Sequence, residues 1–373
     1  MHVPMFDLRV TDDQTKSRLL EAFSRVLEHG KLFLGPEVEE FEERVAKTLG
    51  VKYVVGVGSG SSAVFLALKA AGIQHGDEVI TTPLTWIISS NAIRACGAIP
   101  VFVDVRDDFN IDPSKIADKI TERTKAILPV HYAGHMCDMK GICEVAERHN
   151  LFIVEDAAQA FGASLNYKKA GSYSVAAGIS MNPMKVLGGY GEAGAVVTND
   201  ENIFGRLKLL RHAGTTSDPK RLITNDCREI SLNHKMDTIN AALLLVALDG
   251  LPEKVRLREK IAQTYNEKLP CQIGRQVTTS EEVHARYVYP IRSIHRDKLA
   301  HFLAENQVET KIMHEPLVCD APVYKNYIGD IINARKVLEE SLIIPSHEKL
   351  TSDQVHHVIT LIEQFVKTYP INK

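Results

Sequence analysis

The residues with the clearest chemical potential are a lysine and an acid in two separate segments of the chain. Lys185 lies in a glycine-rich stretch, residues 178–194, and Asp156 lies in the run Ile-Val-Glu-Asp-Ala-Ala-Gln at residues 153–159. A lysine amine can form a Schiff base with pyridoxal 5′-phosphate (PLP), and a carboxylate can pair with the pyridinium nitrogen of that cofactor. The pair therefore predicts a PLP site in which Lys185 and Asp156 are the catalytic residues.

Two earlier segments add groups of the kind that such a cofactor requires. Residues 57–62, Val-Gly-Ser-Gly-Ser-Ser, stand between a predicted strand and a predicted helix. The N–H groups of Gly60 and Ser61 open that helix and can bind the cofactor phosphate. Trp86 is the only tryptophan in the chain, and its ring can stack on the flat pyridine ring.

Two further polar residues complete the predicted cofactor site. Gln159 can hydrogen-bond the ring hydroxyl, and Ser180 can donate to the phosphate. Each feature alone has an ordinary structural explanation: Ser61 or Ser62 as a helix cap, the tryptophan as a core residue, the acid pair as a helix start, and the lysine as a solvated side chain. Their joint occurrence, in the order anion-binding loop, aromatic ring, acid and lysine, favours the PLP site.

The elements that must position these residues alternate between strands and helices from residue 53 to residue 198. Short apolar runs that are bounded by turns and separated by helices indicate a buried, mostly parallel sheet, in which ligands bind outside the carboxyl ends of the strands. We expect the last two strands to run antiparallel to each other. The predicted strands are Tyr53–Val57, Glu78–Thr81, Pro100–Val103, Ala126–Val130, Leu151–Val154, Ser174–Ser180 and Ala195–Thr198.

Helices are predicted from apolar residues that recur with the helical period. The first helix ends at Gly30, and the second lies between Pro36 and Gly50. The last helix starts at a capping box, Thr351-x-x-Gln354. The apolar face of the first helix consists of Leu19, Leu20, Phe23, Val26 and Leu27. Further helices are expected at residues 63–71, 87–96, 140–149 and about 253–269.

Length and composition indicate a two-domain globular protein. The pattern changes after residue 250, so we expect a large α/β domain at residues 1–250 and a smaller α+β domain at residues 251–373. The net charge of −3 gives no reason to expect nucleic acid or a membrane as a partner. The six cysteines are scattered without the spacing of a disulfide framework or a zinc site, and no signal peptide or membrane span is evident. We expect a cytoplasmic protein without a bound metal.

Over nearly its whole length the sequence resembles the DegT/DnrJ/EryC1/StrS family of sugar aminotransferases. The segments that carry the resemblance are residues 34–42, 76–80, 100–104, 129–134, 155–159, 178–194 and 231–236. The resemblance implies the type I aspartate aminotransferase fold, with a mostly parallel seven-stranded sheet in the large domain. It also implies a homodimer in which Asn233 of one subunit reaches the phosphate bound by the other. A lysine rather than a histidine at position 185 argues against the related PLP dehydratases.

Several positions depart from the common family pattern on the substrate side of the site. They are Met181 and Asn182, residues 192–194, His234-Lys235 and His314-Glu315-Pro316. His314 and Lys235 are candidates for contact with the substrate or its diphosphate. His131, at the end of the predicted strand Ala126–Val130, is a third candidate, although a core histidine is an equal alternative.

These features predict a PLP-dependent aminotransferase that moves an amino group from an amino acid, L-glutamate in most of the family, to a nucleotide-linked keto sugar. One alternative is a PLP-binding protein of the same fold that does not transaminate, or a sensor. Another is an NAD-dependent dehydrogenase that uses Gly56-x-Gly58. The third position of that dinucleotide fingerprint is Ser61 instead of glycine, which weakens the second alternative.

Overall fold

The computed structural model describes residues 1–218, 223–324, 326 and 330–370. The helices are α1 Asp13–His29, α2 Pro36–Leu49, α3 Gly60–Ala70, α4 Ile88–Ala95, α5 Met139–His149, α6 Glu201–Arg211, α7 Thr238–Asp249, α8 Leu251–Lys268, α9 Arg296–Glu305, α10 Ile332–Glu340 and α11 Ser352–Thr368. The strands are β1 Tyr53–Val57, β2 Glu78–Thr81, β3 Ile99–Phe102, β4 Thr124–Leu128, β5 Phe152–Asp156, β6 Ser164–Leu165, β7 Lys168–Lys169, β8 Ala176–Ser180, β9 Gly194–Thr198, β10 Thr215–Asp218, β11 Ile223–Cys227, β12 Gly274–Arg275, β13 Glu282–Val283, β14 Tyr289–Arg292 and β15 Ser341–Ile344.

A seven-stranded sheet, in the order β1-β9-β8-β5-β4-β2-β3, forms the centre of the N-terminal two thirds of the fold. The pairs β2–β3, β2–β4, β4–β5 and β5–β8 are parallel. Only β9 is reversed, because it is antiparallel to both of its neighbours, β1 and β8. The carboxyl ends of the other six strands therefore lie along one edge of the sheet, where a ligand site is expected.

Both faces of the sheet are covered, which gives three layers. Side chains of successive strand residues point to opposite faces, and β1 illustrates the result. Val54 packs in the cluster that includes Phe41 of α2, whereas Val55 packs in the cluster that includes Leu66 of α3. The strands are apolar on both sides for this reason, as in other sheets buried between helices.

Helix ends follow local side-chain chemistry. Ser59 caps α3, and its hydroxyl accepts a hydrogen bond of 3.1 Å from the N–H of Ser62. The alternative that Ser61 or Ser62 provides the cap is therefore wrong. The predicted capping box of Thr351 and Gln354 is confirmed at the start of α11.

The C-terminal part has a sheet and a core of its own. Strands β12, β14 and β15 form an antiparallel sheet, and its buried side chains cluster with those of the neighbouring helices, among them Tyr265, Leu299 and Phe365. Val3 belongs to the same cluster and forms a β-bridge with Val308. The first residues of the chain thus pack on its C-terminal half, a contact that no local pattern indicates.

The predicted sheet is confirmed, including the antiparallel pair β8–β9. The acid at 156 is the last residue of β5, whereas the prediction had the strand end at Val154. The apolar face predicted for α1 is wrong in part, because Leu20, Phe23 and Leu27 are exposed. The helix packs on α7 along a narrow stripe that leaves the rest of the face uncovered. In the described parts of the chain, no helix has both the length and the apolar character to cross a membrane.

Candidate active site

The carboxyl ends of β1, β2, β5 and β8 border one cavity of about 500 Å³, a volume in the range of small-molecule sites. Eight residues singled out from the sequence line this cavity. They are Gly60, Ser61, Trp86, Asp156, Gln159, Ser180, Lys185 and His314. The parallel sheet brings them together although they are spread over most of the chain.

Asp156 is a buried carboxylate held by two hydrogen bonds. The hydroxyl of Ser89 donates to Oδ2 at 2.7 Å, and the N–H of Ala158 donates to Oδ1 at 3.1 Å. Burial raises the pKa of Asp156, while these two bonds and the charge of Lys185 lower it. A buried anion with few partners is costly unless a cation faces it. The cavity therefore suits a cationic group next to Asp156.

Lys185 is the other half of the pair, and its amine is removed from water. Its Nζ lies 4.0 Å from the ring centroid of Tyr287. Burial lowers the pKa of Lys185 to about 8, although the charge of Asp156 acts in the opposite direction. A larger share of the amine is neutral near pH 7 than for an ordinary lysine, so the amine can act as a nucleophile and as a base.

The start of α3 forms a cradle for an anion next to Ser180. The N–H groups of Gly60 and Ser61 belong to the first helical turn and have no intrahelical partner. A Cβ atom at position 60 would lie 2.5 Å from the Cβ of Ser180, which is closer than real side chains approach. Glycine is thus required for α3 and β8 to approach each other here.

Two aromatic rings, an exposed one and a buried one, line the cavity. Trp86 is 61% exposed, and its ring centroid lies 6.4 Å from that of His314. Burial lowers the pKa of His314 to about 3, and Lys185 and Lys311 act in the same direction. Its Nε2 is buried without a hydrogen-bond partner among the described residues. His314 is therefore a neutral ring with an unused polar atom.

The side chain of Gln159, another predicted cofactor contact, is held in place by a backbone hydrogen bond. Its Oε1 accepts a hydrogen bond of 2.8 Å from the N–H of Ala133. Asn182 and Glu192, which belong to segments that depart from the family pattern, also line the cavity. The amide of Asn182 donates to Glu192 at 2.7 Å, so these two residues act as one polar wall.

The lining residues that sequence reasoning missed include three with polar groups: Ser89, Tyr287 and Lys311. Ser89 follows Trp86 by one helical turn, and this spacing could have indicated it. Tyr287 and Lys311 come from the C-terminal part of the chain, where no nearby motif marks them.

Three other candidates do not line the cavity of this chain. Asn233 is exposed, and its Oδ1 accepts from the N–H of Lys235 at 3.3 Å. The amine of Lys235 lies 3.2 Å from Nδ1 of His212. His131 is fully buried and bonds Glu155 at 2.9 Å. It is thus a core histidine, because a fully buried ring that does not line the cavity cannot reach a substrate.

The α/β fold and the desolvated lysine facing a buried carboxylate at one sheet edge are typical of a type I aspartate aminotransferase-like enzyme. The profile of the DegT/DnrJ/EryC1/StrS aminotransferase family matches residues 13–363. The chain therefore belongs to that family. The predictions of the family, of the fold and of an aminotransferase are confirmed.

Individual relatives match the chain over nearly their full length. The chain is 38% identical to dTDP-3-amino-3,6-dideoxy-alpha-D-galactopyranose transaminase of Aneurinibacillus thermoaerophilus, over 97% of this chain and 99% of that protein. It is 36% identical to a protein of Geobacillus stearothermophilus named pleiotropic regulatory protein, over 99% and 100% of the two chains. The crystal structure of S. venezuelae DesV in complex with a ketimine intermediate has a TM-score of 0.93 and 34% identity, and the match covers 98% of this chain and 99% of that one.

Proposed function

We propose that this protein transfers the amino group of an amino acid, L-glutamate in our proposal, to a nucleotide-linked keto sugar and so produces an amino sugar for glycan or secondary-metabolite biosynthesis. The observation that carries the proposal is the convergence of Lys185 and Asp156 in one cavity of a chain that belongs to an aminotransferase family. The name of the Aneurinibacillus relative supports the choice of a nucleotide-linked sugar.

The cofactor is PLP, and the residues present fit it. The crowded glycine at position 60 leaves room for a phosphate at the start of α3, and the hydroxyl of Ser180 lies next to it. The buried carboxylate of Asp156 suits the protonated ring nitrogen, since each charge needs a partner there. When bound, PLP supplies an electron-withdrawing ring conjugated to the substrate carbon.

Each residue then has a chemical task. Lys185 would hold the cofactor covalently at rest, and its amine would afterwards move a proton between the substrate carbon and the cofactor, for which a pKa of about 8 is suitable. Asp156 would keep the proton on the ring nitrogen. Trp86 would lie against the ring face, and Gln159 would bond the ring hydroxyl. His314, neutral and with a free Nε2, is a hydrogen-bond partner rather than a charge for the substrate.

We assign Lys311 to the anionic part of the substrate. Among the described residues that line the cavity, the cationic side chains are Lys185 and Lys311, and Lys185 is engaged with the cofactor. Lys311 makes no ion pair within the described chain. Both the carboxylates of an amino donor and the diphosphate of a nucleotide sugar are anions that such an ammonium group binds.

The test begins with the purified protein and PLP. L-Glutamate should abolish the visible absorption of the bound cofactor and release 2-oxoglutarate. Hydride reduction followed by peptide mass spectrometry should locate the cofactor on Lys185. The variant Lys185→Ala should show neither the reaction with L-glutamate nor the labelled peptide. The variant Lys260→Ala, which alters an exposed lysine on α8, should show both. A colourless protein with no adduct would refute the proposal. A panel of nucleotide-linked keto sugars then identifies the acceptor.

A second candidate function is regulatory, and the name of the Geobacillus relative favours it. A sensor of this fold would bind PLP but would not convert it to pyridoxamine phosphate with any amino donor. The glutamate experiment separates the two functions, because only an aminotransferase releases 2-oxoglutarate. Family membership argues against the dehydrogenase alternative.

We also propose a homodimer with shared active sites. Large apolar side chains that a single chain leaves exposed support it: Leu20, Leu27, Phe33, Ile230 and Leu232. The last two are close in sequence to Asn233, which is exposed as well and does not line the cavity of its own chain. Such an arrangement suits a residue that completes the site of a partner.

Subunit mixing tests this arrangement. Lys185→Ala and Asn233→Ala chains are each expected to be nearly inactive. In a mixed dimer, one site would combine Lys185 of one chain with Asn233 of the other, and both would be unaltered. Activity should therefore return on mixing. Mixtures that stay as inactive as the separate variants, although mass spectrometry shows mixed dimers, would contradict shared sites.

We also propose that the chain has a second domain after residue 250 and that the protein is cytoplasmic. The separate core cluster around Tyr265 and Phe365 supports a second domain after residue 250, although Val3 joins that cluster from the other end of the chain. A cytoplasmic location is supported by the scattered cysteines. Limited proteolysis near residue 250 and cell fractionation test these two points.

A further inference from the structure

A partly buried ion cluster outside the cavity contacts the main chain of Lys185. The amine of Lys254, in the first turns of α8, donates a hydrogen bond of 3.3 Å to the carbonyl oxygen of Lys185. The loop that carries Lys185 is otherwise rich in glycine and can turn in many ways. The bond from Lys254 therefore limits where the backbone of Lys185 can lie.

The same helix also holds the aromatic ring next to the lysine amine. Arg258 lies one turn after Lys254, and it donates to the carbonyl oxygens of Arg286 and Tyr287 at 3.0 and 2.9 Å. The ring of Tyr287 is the one that lies 4.0 Å from Nζ of Lys185. Arg258 thus restrains the side-chain end of Lys185 through Tyr287, as Lys254 restrains the main-chain end.

One carboxylate joins the two cations. Glu348, in the loop between β15 and α11, lies 2.8 Å from Nε of Arg258 and 3.4 Å from Nζ of Lys254. Burial alone would raise the pKa of Glu348, but the two cations outweigh it and hold the pKa at about 2. Burial lowers the pKa of Lys254 to about 8, and Glu348 opposes this change. Glu348 therefore favours the charged form of Lys254 and holds both side chains in place.

We propose that Glu348 is a positioning residue for the amine of Lys185 and acts through Lys254 and Arg258. The inference rests on the proposed role of Lys185. It adds a link from the C-terminal part of the chain to the reacting amine, through residues that do not line the cavity. None of the three was indicated by the sequence motifs.

The physical reason is the balance of charge in a partly buried site. Without the carboxylate, Lys254 would lose the group that favours its charged form, and the buried guanidinium of Arg258 would lose its anionic partner, which is strongly unfavourable. Both side chains would then shift and release the carbonyl oxygens of Lys185 and Tyr287. A displacement of about 1 Å at a reacting group can lower a rate by about a hundredfold.

The variant Glu348→Gln tests the proposal by removing the charge and keeping the shape. With L-glutamate as the probe, we expect the maximal rate constant of the first half-reaction to fall tenfold to a hundredfold. The glutamate concentration that gives half of this rate should change little. Glu348→Asp should restore at least half of the rate. Lys254→Met should lower kcat in the same direction, because it removes the contact to Lys185 and leaves the pair of Glu348 with Arg258 intact.

The control is Glu340→Gln, which removes one partner of a comparable ion pair elsewhere. Glu340 is 18% exposed and lies 2.7 Å from Arg292, against 19% exposure for the side chain of Glu348. A loss of rate that appears equally in Glu340→Gln would reflect lost stability and would overturn the proposal. A normal rate in both Glu348→Gln and Lys254→Met would do the same.

A second readout needs neither cofactor nor turnover. In the apoprotein, reductive methylation of Lys185 is followed by peptide mass spectrometry, with the exposed Lys260 as the internal reference. We expect Glu348→Gln to increase the relative labelling of Lys185 severalfold, because the amine is no longer confined against Tyr287. Unchanged labelling would refute the positioning role. A wild-type protein that labels as expected but does not react with glutamate would instead count against the proposed function.

Discussion

The hydrogen bond from Ser89 to Asp156 offers a sharp test of the site, because the next residue provides a matched control. Ser89 and Ser90 are both buried in α4. The hydroxyl of Ser89 donates to Asp156 at 2.7 Å, whereas that of Ser90 has no partner in the described chain. Ser89→Ala and Ser90→Ala thus remove the same atom from adjacent positions, but only the first removes a contact to the carboxylate.

The expected size follows from the strength of the bond. A hydrogen bond to a charged group contributes about 1.5–3 kcal/mol. Since about 1.4 kcal/mol corresponds to a factor of ten in rate, Ser89→Ala should slow the glutamate half-reaction by about tenfold to a hundredfold. Ser90→Ala should change it by less than about threefold, because the hydroxyl it removes has no hydrogen-bond partner to lose.

The pH dependence should change in a defined direction. The bond from Ser89 lowers the pKa of Asp156, so its loss raises that pKa further. Activity requires the ionised carboxylate, which is lost as the pH falls through its pKa. The acid limb of the rate profile should therefore move to higher pH in Ser89→Ala and stay in place in Ser90→Ala.

The assay is single-turnover loss of the visible cofactor absorption after mixing with L-glutamate, measured across pH. Ser89 also lies 2.9 Å from the hydroxyl of Thr85, so Thr85→Val serves as a second control. If Ser89→Ala and Ser90→Ala gave the same rate and the same acid limb, the assignment of Asp156 as the acid that keeps the ring nitrogen protonated would be wrong.

Three further predictions concern other parts of the fold. Gly60→Ala should weaken PLP binding at least tenfold in a titration of the apoprotein, because the new Cβ atom would lie 2.5 Å from the Cβ atom of Ser180. If the variant bound PLP as tightly as the wild type, the phosphate could not bind at the start of α3. Phe41→Ala should lower the free energy of unfolding by about 3–5 kcal/mol in urea titration, since the ring is fully buried in the largest core cluster, and a loss below about 1 kcal/mol would contradict that packing. In the apoprotein, methylation of Lys185 should rise as the pH passes through about 8, where burial places its pKa; an inflection above pH 10 would indicate a solvated amine.

Much of the fold could be predicted because its signals are local. Strand and helix limits follow from apolar runs, glycines at helix ends and a capping box, all of which act within a few residues. Local signals also predict the positions of four site residues: Gly60, Trp86, Asp156 and Ser180. Each stands at or near the end of a parallel strand, and such ends share one edge of a sheet. Local sequence patterns were therefore sufficient to predict that these four residues lie near one another.

For other residues, only the tertiary structure shows whether the side chain lies near the site. His131 also follows a strand, yet it is fully buried, bonds Glu155 and does not line the cavity. Tyr287, Lys311 and Glu348 reach the surroundings of Lys185 from the C-terminal part of the chain. Periodicity reports which face of an element is buried, but it does not report which distant element covers that face. Contacts between remote segments depend on how whole elements pack, and this information exists only in the folded chain.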